Sequence, residues 1–207
     1  MQTRSKNRKE QIVSVALELL QTQGFENFSY LDIANRLSIT KASIHHHFAK
    51  KEDLGVALCQ AIQDWHEVGF SQILAADNSA SEKLDSYVHA MLKYACGKNK
   101  ICPLSSLQVD VTSLPTAMQS ALKVLDEHEL DFITQVLALG RKNGEFNFVG
   151  DVKSQAILVV IACKGALQYS RVHGDYIFEQ TMAQISLLLG RSAVHGSELA
   201  QAASSGK

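Results

Sequence analysis

Within the twelve residues from Thr40 to Lys51 the chain gathers two hydroxyls, three amines and three imidazoles: Thr40, Lys41, Ser43, His45, His46, His47, Lys50 and Lys51, with no acid between them. Such groups donate hydrogen bonds and carry or acquire positive charge, the chemistry that phosphate oxygens and the acceptor edges of bases attract. Upstream, the first nine residues carry Arg4, Lys6, Arg8 and Lys9 and no acid, a basic arm able to lie along a phosphate backbone. The three consecutive histidines do not suit a metal, because successive helical residues diverge by about 100° and cannot share one ion. No nucleophile elbow, phosphate-cradling glycine loop or catalytically spaced carboxylate or histidine pair occurs beyond residue 56. The chain is therefore expected to be no enzyme and to need no cofactor.

Helices must position these groups. From Lys9 to Gln23, Ile12, Ala16 and Leu20 recur every fourth residue, an amphipathic stripe that Gly24 ends. Ser29 and Asp32 resemble a capping box ahead of Ile33, Ala34 and Leu37. After the short Ser38-Ile39-Thr40 turn, Thr40 caps a second short helix from Lys41 to about Phe48. With Ile44 and Phe48 inward, Ala42 and His46 turn outward, flanked by Lys41, Ser43 and His45. A helix about 10–12 Å wide fits a major groove about 12 Å wide, so the pattern predicts double-stranded DNA as partner.

Further helices are expected from Lys51 to Leu74, Ser81 to Ala95, Pro103 to Val111, Pro115 to about Asn143, Asp151 to Val172 and Tyr176 to Gly190. Ile157 to Ile161 is β-branched enough to pass for a strand, but its helical neighbours argue for a buried helix. Only two prolines and twelve glycines interrupt 207 residues, 46% of them hydrophobic, which favours an all-α chain. Divided by function, 1–50 form a three-helix helix-turn-helix domain, 51–191 a helical ligand-binding and dimerisation domain, and 192–207 a small, polar tail. No stretch approaches the roughly 20 apolar residues of a membrane span, and no signal peptide is evident. Cys59, Cys96, Cys102 and Cys163 follow no disulfide or zinc spacing and are read as reduced thiols, so the expected compartment is the cytoplasm.

From Ile12 to Leu58 the chain resembles the N-terminal domain of the TetR family of bacterial transcriptional regulators. The resemblance rests on Gly24-Phe25, on Ser29 with Ile33-Ala34, on the run from Ser38 to Ile44, on His46-His47-Phe48, and on Lys51-Glu52-x-Leu54. It implies phosphate contacts from Ser29 and Thr40, base contacts from Lys41, Ala42 and Ser43, and backbone anchoring by His46, His47 and Lys51. Two positions depart from the pattern: Ser38 stands where glycine is frequent, and His45 where tyrosine is frequent, leaving imidazole as the phosphate donor.

The resemblance also implies a homodimer reading a pseudo-palindromic operator, and a helical domain enclosing a small-molecule effector. Its lining is expected among Trp65, Met91, Tyr94, Cys102, Met118, Phe132 and Tyr169. Cys102, before Pro103 and near Lys98 and Lys100, is a candidate reactive thiolate, with Cys96 as a conceivable disulfide partner. In the last two helices Ala162, Gly165 and Ala166 permit close approach, and Phe178, Met182, Ile185 and Leu189 supply an apolar seam, so these residues are expected at the dimer interface. The resulting reading is a ligand-responsive repressor, released by a small effector or by cysteine modification, in which the helix from Lys51 to Leu74 resets the spacing of the reading helices. Two alternatives stay open: a thiol-based redox or detoxifying protein with a vestigial helix-turn-helix, and a dimeric adaptor that binds no DNA.

Overall fold

The computed structural model describes residues 2–95 and 100–191, with side chains described for 7–92 and 100–191. The arm side chains of Arg4 and Lys6, the side chain of Tyr94, and Cys96, Lys98 and the tail 192–207 lie outside them. Among the described residues there are nine helices and no strand: α1 Gln2–Gln23, α2 Tyr30–Leu37, α3 Lys41–His47, α4 Lys51–Ala75, α5 Ala80–Ala95, α6 Pro103–Val109, α7 Thr116–Lys142, α8 Val152–His173 and α9 Tyr176–Leu188. The β-branched run 157–161 lies within α8. The backbone is already helical at Gln2, because Gln, Arg and Lys are good helix formers and nothing before Lys9 breaks the pattern. Conversely α6 stops at Val109, two residues short of expectation, where Asp110 turns the chain. No helix among the described residues is long and apolar enough to cross a membrane.

The helices gather into two compact units, one of residues up to Gly69 together with Tyr94–His128, the other of Phe70–Lys93 together with the chain from Glu129 onward. The expected boundary at 50/51 falls inside the first unit. In that unit α1 buries Ile12, Ala16, Leu19 and Leu20, α2 Ile33 and Ala34, α3 Ile44, and α4 Leu54 and Leu58. The segment around α6 grips the end of α1: the Ile101 N–H donates to the Gln21 carbonyl at 2.9 Å, the Gln21 amide donates back to the Ile101 carbonyl at 3.2 Å, and the Ser106 hydroxyl donates to the Leu20 carbonyl at 2.8 Å. Gly55 lets α7 approach α4, since a Cβ there would lie 2.2 Å from the Met118 sulfur.

The second unit has an aromatic core in which Phe70 stacks on Phe132 at 4.2 Å between centroids and Tyr87 lies 5.9 Å from Phe132. Beside it, Glu129 of α7 pairs with Lys164 of α8 at 2.7 Å and accepts the Tyr87 hydroxyl of α5 at 3.0 Å. Both charged side chains are nearly sealed from water, at 11% exposure for Lys164 and 1% for Glu129. Arg191 closes the unit with a two-pronged bond to Asp85 at 2.9 and 2.7 Å.

Breaking the buried pair from one side leaves a charge in a low-dielectric interior. Lys164→Met is expected to lower the unfolding free energy in urea by about 3–5 kcal/mol, and Glu129→Leu added to it to restore most of that loss.

Candidate nucleic-acid interface

Local chemistry sets the start of α2 with both halves of a capping box. The Ser29 hydroxyl accepts from the Leu31 N–H at 3.2 Å, and Asp32 accepts from the Ser29 N–H and hydroxyl, each at 2.7 Å. These bonds from the Ser29 hydroxyl and N–H hold the Asp32 carboxyl below its ordinary range. Since the Ser29 proton is already given to Asp32, a phosphate would have to compete for it.

At the other end of α2, Ser38 adopts the left-handed conformation at φ 51°, its N–H turned back to the Ala34 and Asn35 carbonyls. The serine standing where glycine is frequent thus accepts the positive φ instead of avoiding it. Thr40 then caps α3 through its hydroxyl oxygen, which accepts the Ser43 N–H at 3.2 Å. Ile44 is fully buried, and Phe48, which ends the helix, is buried as well. Lys41, Ala42, His45 and His46 remain exposed, with Ser43 and His47 half-buried. The outward face expected from the 100° step is the face observed.

Tyr30, passed over in the sequence, fixes the angle between α2 and α3 by donating its buried hydroxyl to the Phe48 carbonyl at 3.0 Å. Burial, then the Asp53 charge, push that hydroxyl up to about 12. The His45 ring meets Tyr30 edge-on at 4.8 Å, and its Nδ1 lies 3.3 Å from the Ala49 carbonyl, a bond made when that nitrogen carries hydrogen. His46 and His47 stand edge to face at 5.4 Å. Burial, then the charges of His46, Lys9 and Arg8, lower the His47 pKa from its ordinary value.

Lys51 is less free than a phosphate anchor would be. Its ammonium sits 4.8 Å from the centres of both the Phe25 and Phe28 rings and donates to the Glu26 carbonyl at 3.4 Å, and burial lowers its pKa. The same turn is held from far along the chain by Asp110, whose carboxylate accepts the Phe25 N–H at 3.1 Å. An acid 85 residues away leaves no local signal in the sequence.

The residues expected to line an effector site are divided between the two compact units, Trp65, Cys102 and Met118 in the first and Met91, Phe132 and Tyr169 in the second. Met118 is helix packing against Gly55, and Trp65, 37% exposed, lies beside the ring of His66. Met91 and Phe132 are buried in the second unit. Tyr169 is 64% exposed on α8, stacked on His173, because its position falls on the outer side of the helix. Cys102 does sit at the N-cap of α6 but is only 6% exposed, which counts against a thiol open to attack.

The expected dimer seam needs a similar correction. Ala166, Phe178, Met182, Ile185 and Leu189 are buried within the chain, largely where α8 and α9 pack on each other, and Ala162 is half-buried. Gly165 is exposed, in a stripe formed by Ile157, Leu158, Ile161, Tyr169 and Val172, with Tyr176, Leu187 and Leu188 exposed on α9. Both helices are apolar on more than one side, so periodicity alone does not say which side is left open.

α1 and the two capped helices α2 and α3, with Ile44 buried and a small and basic outer face on α3, define a helix-turn-helix protein of the DNA-binding kind. Residues 12–58 match the family described as bacterial regulatory proteins, tetR family. A TetR transcriptional regulator from Legionella pneumophila is 32% identical with a TM-score of 0.79, covering 87% of this chain and 96% of its own. A TetR-family regulator from Agrobacterium tumefaciens has a TM-score of 0.84 at 24% identity, over 91% of this chain and all of its own (100%). The HTH-type transcriptional repressor NemR of Escherichia coli K12 is 21% identical over 190 residues, 90% of this chain and 96% of NemR. The chain belongs to the TetR family of bacterial transcriptional regulators.

The strain at Ser38 and the cap at Thr40 act in opposite directions. Ser38→Gly is expected to raise the urea midpoint by the equivalent of about 0.5–1 kcal/mol, and Thr40→Ala to lower it by about 1 kcal/mol.

Proposed function

We propose that the chain is a homodimeric repressor that reads a pseudo-palindromic operator with one α3 from each subunit and lets go when a small effector binds. The observation that carries this reading is the outer face of α3, where Lys41, Ala42 and His46 stand exposed behind the Thr40 cap with Ser43 beside them. In it Lys41, Ala42 and Ser43 meet base edges, while Thr40, His45, His46 and His47 meet the backbone. Ser29 and Lys51 contribute once they exchange their internal partners for phosphates. Residues 1–50 do the reading, 51–191 dimerise and bind the effector, and the protein acts in the cytoplasm. The name NemR carries, a transcriptional repressor, supports repression over activation.

The effector in this reading is an apolar or aromatic molecule admitted among Met91, Phe132 and the rings around them. The burial of Cys102 favours release by a bound effector over direct thiol modification, and burial likewise pushes the Cys59 thiol up to about 11. Two subunits meet through the α8 stripe of Ile157, Ile161, Gly165 and Tyr169. Effector binding acts by biasing α4, the 25-residue helix that follows the reading helix, toward a spacing that no longer matches sites about 34 Å apart. The fully formed caps of α2 and α3 speak against a vestigial helix-turn-helix.

Selection of duplexes from a random pool by the wild-type protein tests the reading. An enriched inverted repeat bound with steep salt dependence is expected, and a folded protein that enriches nothing at low ionic strength defeats it. On the selected duplex, Lys41→Ala is expected to weaken binding by about 1–3 kcal/mol. Ile161→Asp is expected to give a monomer in sedimentation and to lose nearly all binding at nanomolar concentration.

A further inference from the structure

We propose that the imidazoles of α3 couple operator binding to protonation, so that the reading helix is itself a pH sensor, gripping a duplex more tightly as pH falls through the imidazole range. This rests on the DNA-reading role of α3 proposed above. Three of the seven residues of α3 are histidines, and they form its last turn on or beside the face left open. His46 is exposed, His45 is exposed with its ring edge on Tyr30, and His47 is half-buried against His46.

The charges facing them are mostly positive. From α1 come Arg8 and Lys9, the latter 5.4 Å above the Phe48 ring and both bearing on His47. From α2 comes Tyr30, which keeps its proton on the Phe48 carbonyl throughout the relevant range. The turn into α4 adds Lys50 and Lys51, with Glu52 and Asp53 as the acids, and Asp53 already accepts the Lys50 N–H at 2.8 Å. Lys41 stands at the head of α3 itself. In the free protein burial, then the charges of His46, Lys9 and Arg8, oppose a positive charge on His47.

A duplex against this face reverses the balance, because phosphates supply the opposite charge that the protein does not. The His47 imidazolium, disfavoured in the free protein, is then favoured in the complex. By linkage, binding takes up protons: the added affinity is present in full below the free-state titration and is lost as pH rises through the titration of the complex. For His47 the free-state titration lies below the ordinary imidazole value, and phosphates move it upward in the complex.

The test is fluorescence anisotropy with the duplex selected at pH 8, titrated from pH 6 to 8.5 at constant ionic strength. Wild-type Kd is expected to fall by about tenfold or more between pH 8 and 6, the yield of about one proton per subunit taken up over part of that range. His45→Gln/His46→Gln/His47→Gln, shown by circular dichroism to be folded, is expected to give a flat slope of log Kd against pH. Lys41→Gln is expected to weaken binding at every pH and keep the slope. Should the triple variant not fold, His46→Gln at its exposed position decides, with a reduced slope expected. A flat wild-type profile, or a slope that survives the histidine substitutions, overturns the proposal. A folded dimer that binds no duplex at any pH overturns the DNA-reading role with it.

Discussion

A helix of seven residues does not hold itself together in water, where isolated helices shorter than about 12 residues are marginal, and α3 is seven residues long. What keeps it helical is the burial of Ile44, with Phe48 closing the same side. Around that anchor the Thr40 cap satisfies one end, and the Tyr30 hydroxyl fixes the other by bonding the Phe48 carbonyl. Because the anchor occupies one side only, the exposed side chains of Lys41, Ala42 and His46 are left for a task other than folding. The chemistry on the open face depends on this division of labour.

The same accounting explains which charges near α3 are available. Lys51 is held by two aromatic rings and a carbonyl, and Asp32 and Ser29 bind each other. Asp110 holds the Phe25 N–H from the end of α6, and Ile101 and Ser106 clasp the last turn of α1 at Gln21 and Leu20. These bonds stiffen the frame on which α2 and α3 rest and withdraw their members from outside contacts. Lys41 and His46 of α3 stay exposed beside them.

How much of this was legible follows from the range of each interaction. The stripe Ile12, Ala16, Leu20, the Ser29–Asp32 box, the Thr40 cap and the inward Ile44 all act within a few turns, and the sequence patterns match what the structure shows. Asp110 on Phe25, Tyr87 with Lys164 on Glu129, and Met118 on Gly55 join residues far apart in the chain, where spacing carries no signal. The division between compact units was hidden for the same reason: α6 returns to pack with α1, and the start of α7 packs on α4 at Gly55. Tyr169 and Cys102 show the complementary failure. Residue type marked them as candidates, but only the fold reveals that one faces outward and the other is covered.

Glycine inside a helix costs about 1 kcal/mol relative to alanine, so each such glycine asks what offsets that cost. Gly55 and Gly140 have answers within the protomer, since a Cβ at either would lie 2.2 Å from Met118 or Phe146 respectively. Gly69 of α4 and Gly165 of α8 have none, since a Cβ at either would meet nothing within 4 Å, and of the two Gly165 is the exposed one. Its neighbours on that side are Ile161 and Tyr169, each 64% exposed, so a flat groove runs between two large apolar side chains. A second helix crossing at that point could approach more closely than any side chain would allow, and it would cover the Ile161 and Tyr169 side chains as it did so. The α9 residues Phe178, Met182 and Ile185 cannot serve this purpose, because α8 and the core already cover them. The glycine, the stripe around it and the burial of the competing face therefore support the α8 face as the surface that the proposed second subunit would cover.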